Sequence, residues 1–246
     1  MDIHNKIVLI TGGTHGIGAA TAQLMAAQGC KLVLVARHDH PTLTDMLQGD
    51  GNEVTLLQAD LVNEQECARV VSAVRERFGR IDVLVHCAGG AVPGGLLDVP
   101  TMSWHKAFDI HVHALFYLCR YAVPIMKQSD GSCIVAVSSA AGIRGVKNSL
   151  AYSVVKGALP QFTRSLALEL ADYAIRVNCV SPGVIRTRFQ DSLTPEQAKN
   201  NIDNRIPLHR EGTPEEVAHV ITMLVLNGYI TGENIVVDGG LTMRIA

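Results

Sequence analysis

Seven short apolar runs recur along this 246-residue chain, and the stretches between them carry helical rather than alternating periodicity. The runs are Ile7–Ile10, Leu32–Val35, Val54–Gln58, Val83–Cys87, Ser132–Val137, Arg176–Val180 and Asn234–Val237. Apolar runs of this length read as strands buried on both faces. Between them, Asn63–Phe78 places Val70, Val71, Val74 and Phe78 on one stripe, and Ala158–Leu170 places Phe162, Leu166 and Leu170 at helical spacing. Parallel strands need long crossovers, so the alternation predicts an α/β, doubly wound parallel sheet of about seven strands with helices on both faces.

Hydrophobic residues make up 48% of the chain, enough to cover such a sheet, and there is no repeat, low-complexity tract or flexible linker that would divide it. A single domain over 1–246 is expected. The stretch 188–213, with Pro195 and Pro207, breaks the rhythm and reads as a loop with short helices, a candidate substrate lid. A net charge of -2 gives no footprint for nucleic acid or an anionic membrane surface, so a small-molecule partner is expected. The six cysteines are dispersed without a CxxC pair and read as buried, reduced thiols. The first apolar run passes directly into a glycine loop, leaving no room for a signal peptide, and no run approaches membrane-spanning length, so a cytoplasmic protein is expected.

After the first strand comes Thr11-Gly12-Gly13-Thr14-His15-Gly16-Ile17-Gly18, leading into the helical run Ala19–Gln28. In a strand–turn–helix setting, Gly12 permits the tight turn and Gly16 lets the backbone approach a pyrophosphate. Gly18 lets helix and strand pack closely, and the helix N-terminus offers amide donors to the anion. A dinucleotide is therefore expected here. NAD sites place a carboxylate at the end of the second strand, but Ala36 stands there, followed by Arg37. A guanidinium can pair with a 2′-phosphate, with His15, His38 and His40 as further donors, so NADP(H) is preferred over NAD(H).

Tyr152 and Lys156 lie one helical turn apart and can face the same cleft. A cation beside the phenol would favour its phenolate form and make it a usable acid or base. Ser139 follows the strand Ser132–Val137, at the carboxyl edge where open α/β sheets bind ligands. Two hydroxyls aimed at a carbonyl oxygen can stabilise the negative charge that hydride transfer builds there, one of them giving the proton. Ser138 is a rival, and alternation along the strand points the two serines to opposite faces.

Together the TGxxxGxG loop, the serine and the Tyr–xxx–Lys pair resemble the short-chain dehydrogenase/reductase family over essentially the whole sequence. The resemblance implies a Rossmann-type fold, an NADP(H)-dependent oxidoreductase acting on a ketone, secondary alcohol or 3-oxoacyl-like substrate, and a homodimer or homotetramer. The helices near 101–126 and 150–172 and the segment Val237-Asp238-Gly239-Gly240 would form its contacts. By position, it makes Tyr152 the proton donor or acceptor and Ser139 the group that orients substrate. Lys156 would hold the ribose hydroxyls and lower the tyrosine pKa. Asp60 and Leu61 would contact adenine, Ala88 and Gly89 would pass beside the cofactor, and Pro182, Gly183 and Thr187 would hold the carboxamide. Substrate choice would lie in 188–213 and in Gly90–Leu97.

Two positions depart from the family pattern. His86-Cys87 stands where Asn-Asn is common, and His111 stands at the asparagine of the usual tetrad, seven residues after Trp104. His111 would keep a proton relay through its backbone carbonyl, add a titrating imidazole to it, or only fill space. The alternative function is an NADP(H)-binding regulator with little catalysis. His111 and His113 face different sides of a regular helix, so no metal site is expected.

Overall fold

Strand β1 (Ile7–Thr11) is the third strand of a seven-stranded sheet whose order is β3-β2-β1-β4-β5-β6-β7, with every pairing parallel. The computed structural model describes residues 2–38, 41–49 and 51–243. The other strands are β2 (Lys31–Ala36), β3 (Val54–Gln58), β4 (Val83–His86), β5 (Ser132–Val137), β6 (Ile175–Pro182) and β7 (Asn234–Val237). The crossovers are helices α1 (Gly16–Ala26), α2 (Pro41–Gly49), α3 (Glu64–Phe78), α4 (Thr101–Phe108), α5 (Ala114–Met126), α6 (Leu150–Leu170), α7 (Pro195–Asn200) and α8 (Pro214–Leu226). This is the doubly wound, Rossmann-type α/β fold. The chain runs outward through β2 and β3, then returns to the other side of β1, which opens a crevice at the carboxyl ends of β1 and β4.

The strand alternation feeds two cores. Ile7 and Leu9 pack with Val70 and Val74 of α3 and Leu115 and Leu118 of α5. Val8 and Ile10 face the opposite layer, with Met25 of α1 and Val217 and Ile221 of α8. Burying each of these aliphatic side chains is worth about 1.5–3 kcal/mol, so both faces hold the sheet. Helix α3 is bounded by Asn63, whose side chain accepts from the Gln65 N–H, and by Gly79 in the left-handed region.

Several boundaries differ from those read in the sequence. β2 and β6 are longer because neighbouring strands pair their ends, Lys31 with Ile7 and Pro182 with Val237. Helix α6 begins at Leu150 rather than Ala158, because Ala151 and Val155 continue the buried stripe of Leu159, Thr163 and Ala167. Phe162 and Leu166 lie at its partly buried flank. The stretch 101–126 is not one regular helix. A π-helical turn, Asp109–His113, separates α4 from α5, with the Ala114 N–H bonded to the Asp109 carbonyl. Segment 188–213 holds a 3-10 turn (Arg188–Ser192), α7 and a second π-helical turn (Asn201–Arg205). All six cysteines are free, and Cys87 alone is only partly buried, its thiol pushed up to about 12 by burial.

Candidate active site

The glycine loop leaves β1 and folds back on itself before α1. A Cβ on Gly18 would collide with the Gly12 carbonyl oxygen, so only glycine permits this approach of helix to turn. Gly12 packs on the main chain of Ala88, the residue before Gly89, and the Thr187 methyl packs on Gly16. The loop, the turn after β4 and the segment after β6 therefore meet at one edge. His15 is the N-cap of α1 with no side-chain cap bond, and its Nδ1 lies 2.9 Å from the Thr14 hydroxyl. The amides of Gly16, Ile17 and Gly18 form the first turn of α1 behind it. The backbone cradle, with no acidic side chain in that first turn, fits an anion of pyrophosphate type.

Arg37 is exposed directly beyond β2, and Asp60 is exposed beyond the adjacent β3. The Ala59 N–H bonds the Ala36 carbonyl, which keeps these two strand ends side by side. Asp60 accepts weakly from the Val62 N–H at 3.4 Å, whereas Leu61 is buried in the core beneath. His38 is exposed, and His40 falls outside the described residues. Pro182 ends β6, and Gly183 packs on the Asp238 main chain while its N–H bonds the Val237 carbonyl.

Ser139 caps the 3-10 turn Ala140–Gly142, its Oγ accepting from the Ala141 N–H at 3.1 Å. Gly142 of that turn sits on the main chain of Lys156, bringing the end of β5 against α6. Ser138 is buried and its Oγ donates to the Lys156 carbonyl at 2.7 Å, so it ties strand to helix. Ser139 is the serine whose hydroxyl acts on Tyr152. Burial raises the Tyr152 pKa, and the Ser139 hydroxyl opposes that rise. This differs from the lowering expected from Lys156. The Lys156 ammonium instead donates to the Val137 carbonyl at 2.8 Å, with Nζ 5.7 Å from the Tyr152 ring centroid. Burial pulls the Lys156 pKa down to about 8.

Two further rings touch Tyr152. Phe189, from the turn Arg188–Ser192, lies 5.6 Å away centroid to centroid, which sets this end of the 188–213 segment over the phenol. His111 meets it edge-on at 5.7 Å and 82°. His111 is 1% exposed, and its Nε2 lies 3.0 Å from the Gly90 carbonyl oxygen. Burial first and the Lys156 charge second hold its pKa well below 6.5, which opposes the titrating imidazole among the three roles open to it. His113 points elsewhere, to Asp109 at 3.1 Å.

Sequence reasoning missed one partner. His86 is buried, its Nδ1 lies 2.9 Å from the Thr11 hydroxyl, and its pKa is driven down to about 3, chiefly by burial. Thr11 and His86 pair directly across β1 and β4. That adjacency had a signal in the parallel alternation, but not the hydrogen bond. Among the described residues, no group of three or more His, Cys, Asp or Glu is arranged to hold a metal ion, and no helix is long and apolar enough to cross a membrane.

Fold and edge together define a dinucleotide-binding α/β oxidoreductase architecture with Ser, Tyr and Lys at its carboxyl edge. A family model described as enoyl-(acyl carrier protein) reductase matches residues 12–242. An uncharacterised oxidoreductase of Thermotoga maritima is 35% identical over 251 residues, covering 98% of this chain and 99% of that protein. A 3-oxoacyl-[acyl-carrier-protein] reductase of the same organism is 36% identical, covering 99% of this chain and 100% of its own length. The L-sorbose reductase of Gluconobacter frateurii, solved with NADPH and L-sorbose, superposes with a TM-score of 0.92 at 28% identity, with 100% of each chain covered. The chain belongs to the short-chain dehydrogenase/reductase family and is an oxidoreductase, of a family that binds a nicotinamide cofactor.

Proposed function

We propose that the protein is an NADP(H)-dependent carbonyl reductase that transfers hydride between the nicotinamide and a ketone, secondary alcohol or 3-oxoacyl-like substrate. The observation that carries this reading is the convergence of Ser139 and Lys156 on the half-buried Tyr152 ring. When bound, the nicotinamide supplies or accepts the hydride. Gly12, Thr14, His15, Gly16, Ile17 and Gly18 would hold the pyrophosphate, Arg37 the 2′-phosphate, and Asp60 and Leu61 the adenine. Tyr152 and Lys156 would hold the ribose hydroxyls, Ala88 and Gly89 the path beside them, and Pro182, Gly183 and Thr187 the carboxamide.

Ser139 orients the substrate oxygen by a hydrogen bond that strengthens as negative charge grows on it. Tyr152 gives that oxygen its proton. Burial raises the Tyr152 pKa, so the phenol carries the proton it would give. The Lys156 ammonium, within reach of the ring, stabilises the tyrosinate left behind. NADP(H) is supported by the missing carboxylate at Ala36 and the exposed Arg37. Exposed Phe116 on α5 and Leu168 on α6 support a homodimer or homotetramer packed through those helices.

The test is NADPH oxidation over a panel of ketones and 3-oxoacyl thioesters. Tyr152→Phe should lower kcat by about 10²–10⁴-fold while NADPH affinity, read by fluorescence, changes by less than about tenfold. Wild-type protein that binds NADPH but turns over none of the panel would replace this reading with a cofactor-binding regulator.

A further inference from the structure

Two buried histidines stand beside the proposed reaction centre, and hydride transfer uses neither. His86 ends β4, and His111 lies within the π-helical turn Asp109–His113. Each leaves one buried ring nitrogen without a hydrogen-bond partner among the described residues: Nε2 of His86 and Nδ1 of His111. Paired buried atoms of this kind come from how hydrogens are distributed over the two rings, and the neighbours settle that distribution.

For His111 the nearer partner of Nε2 is the Gly90 carbonyl at 3.0 Å, which can only accept, while the Gly90 N–H is farther, at 3.4 Å. Nε2 therefore carries the hydrogen and Nδ1 is bare. For His86 the Thr11 hydroxyl already accepts from the Ala88 N–H at 3.3 Å, and His86 Nδ1, 2.9 Å away, is the neighbour that can take the hydroxyl's own hydrogen. Nδ1 accepts, so Nε2 again carries the hydrogen. The backbone of Ile110, the residue before His111, acts on the His86 ring and opposes the fall of its pKa. The His111 ring also fills the space beside Gly89, whose φ of 155° and lack of Cβ leave room for the imidazole.

We propose that His86 and His111, each with its hydrogen on Nε2, form a two-point clamp that ties the helix bulge 109–113 to the end of β4 and the Ala88–Gly90 turn, and thereby positions Tyr152. His86 grips from the strand side through Thr11, whose hydroxyl also holds the Ala88 N–H. His111 grips from the helix side through Gly90 and lays its ring edge on the phenol. Both are positioning residues, and the assignment rests on the reading of Tyr152 as proton donor. The titratable groups facing the pair are Lys156 and Tyr152 of α6 and each histidine toward the other. A proton added to either ring would place a second buried cation beside Lys156, and on His111 it would turn the bare Nδ1 into an unpaired donor.

The test uses the full chain labelled with ¹⁵N-histidine. Long-range ¹H–¹⁵N spectra from pH 5.5 to 9 should show two of the ten histidines fixed in the neutral, Nε2-protonated pattern, one lost in His86→Asn and the other in His111→Gln. A titrating ring at either position, or an Nδ1-protonated pattern, overturns the clamp, and the wild-type spectra alone decide this if a variant does not fold. In turnover, His111→Ala should lower kcat about tenfold, the loss of one hydrogen bond, with the ketone KM within about threefold. His111→Gln puts an N–H where Nε2 was and should recover most of the loss. A wild-type kcat in His111→Ala, or a glutamine no better than alanine, refutes the positioning role. The spectra read ring protonation and no activity, so the clamp geometry stands or falls in them even if the protein reduces no ketone.

Discussion

Replacing His86 with asparagine should flatten the acid side of the stability curve, and the size of the effect follows from burial. His86 drops from its ordinary 6.5 to about 3 in the fold. The unfolded chain therefore takes up a proton below pH 6.5 that the folded chain refuses until about pH 3. Its contribution is complete above 6.5 and is lost as pH falls, at about 1.4 kcal/mol per pH unit. Between pH 7.5 and 5.0 the loss from His86 alone is about 2 kcal/mol, and it depends little on the folded value so long as that stays well under 5. His111, depressed for the same reason, adds a loss of the same sign. Urea unfolding followed by circular dichroism at the two pH values measures it. His86→Asn should lose about 2 kcal/mol less than wild type across the interval, whatever its stability at neutral pH, because the remaining titrating groups are shared. An identical loss in both proteins would show that His86 titrates normally in the fold and would refute the argument from burial.

Arg37→Ala should weaken NADPH by about 10- to 100-fold and NADH by less than about threefold in fluorescence titrations, as expected for a lost charge-assisted bond to a 2′-phosphate; equal losses would remove the assignment. Gly18→Ala forces a Cβ onto the Gly12 carbonyl, so the loop must open, and NADPH affinity should fall at least about tenfold by the same titration. Phe189→Ala removes a ring 5.6 Å from that of Tyr152 and should raise KM for bulky apolar ketones about 2- to 10-fold with NADPH affinity intact. Unchanged KM values across the ketone panel would take Phe189 out of the substrate pocket.

Much of the architecture was legible in the sequence because it is local. An apolar run buried on both faces needs only its own residues to declare itself, and the glycine loop declares itself by standing between a strand and a helix. Boundaries were less legible where partners set them. Lys31 and Pro182 enter strands only because Ile7 and Val237 lie opposite. Ala151 and Val155 extend α6 through small or branched residues whose stripe is faint until Leu159 and Ala167 are seen buried with them. The bulge at Asp109–His113 has no compositional mark, since a π-helical turn uses the same residues as the helix around it.

The sequence by itself determined the parallel sheet, the glycine loop, the absence of a carboxylate at Ala36 and the Tyr152–Lys156 spacing, all of which depend on neighbours within a turn or a strand. Only the tertiary structure decided protonation and pairing. Tyr152 was expected to be eased toward phenolate by Lys156, yet burial raises it and the ammonium bonds Val137 instead. His86 stood only as a departure from the family's Asn-Asn, yet it finds Thr11, 75 positions earlier in the chain, and His111 finds Gly90. Charge and hydrogen positions follow the solvent a group loses and the partners it meets, and both are set by segments distant in sequence that the fold brings together.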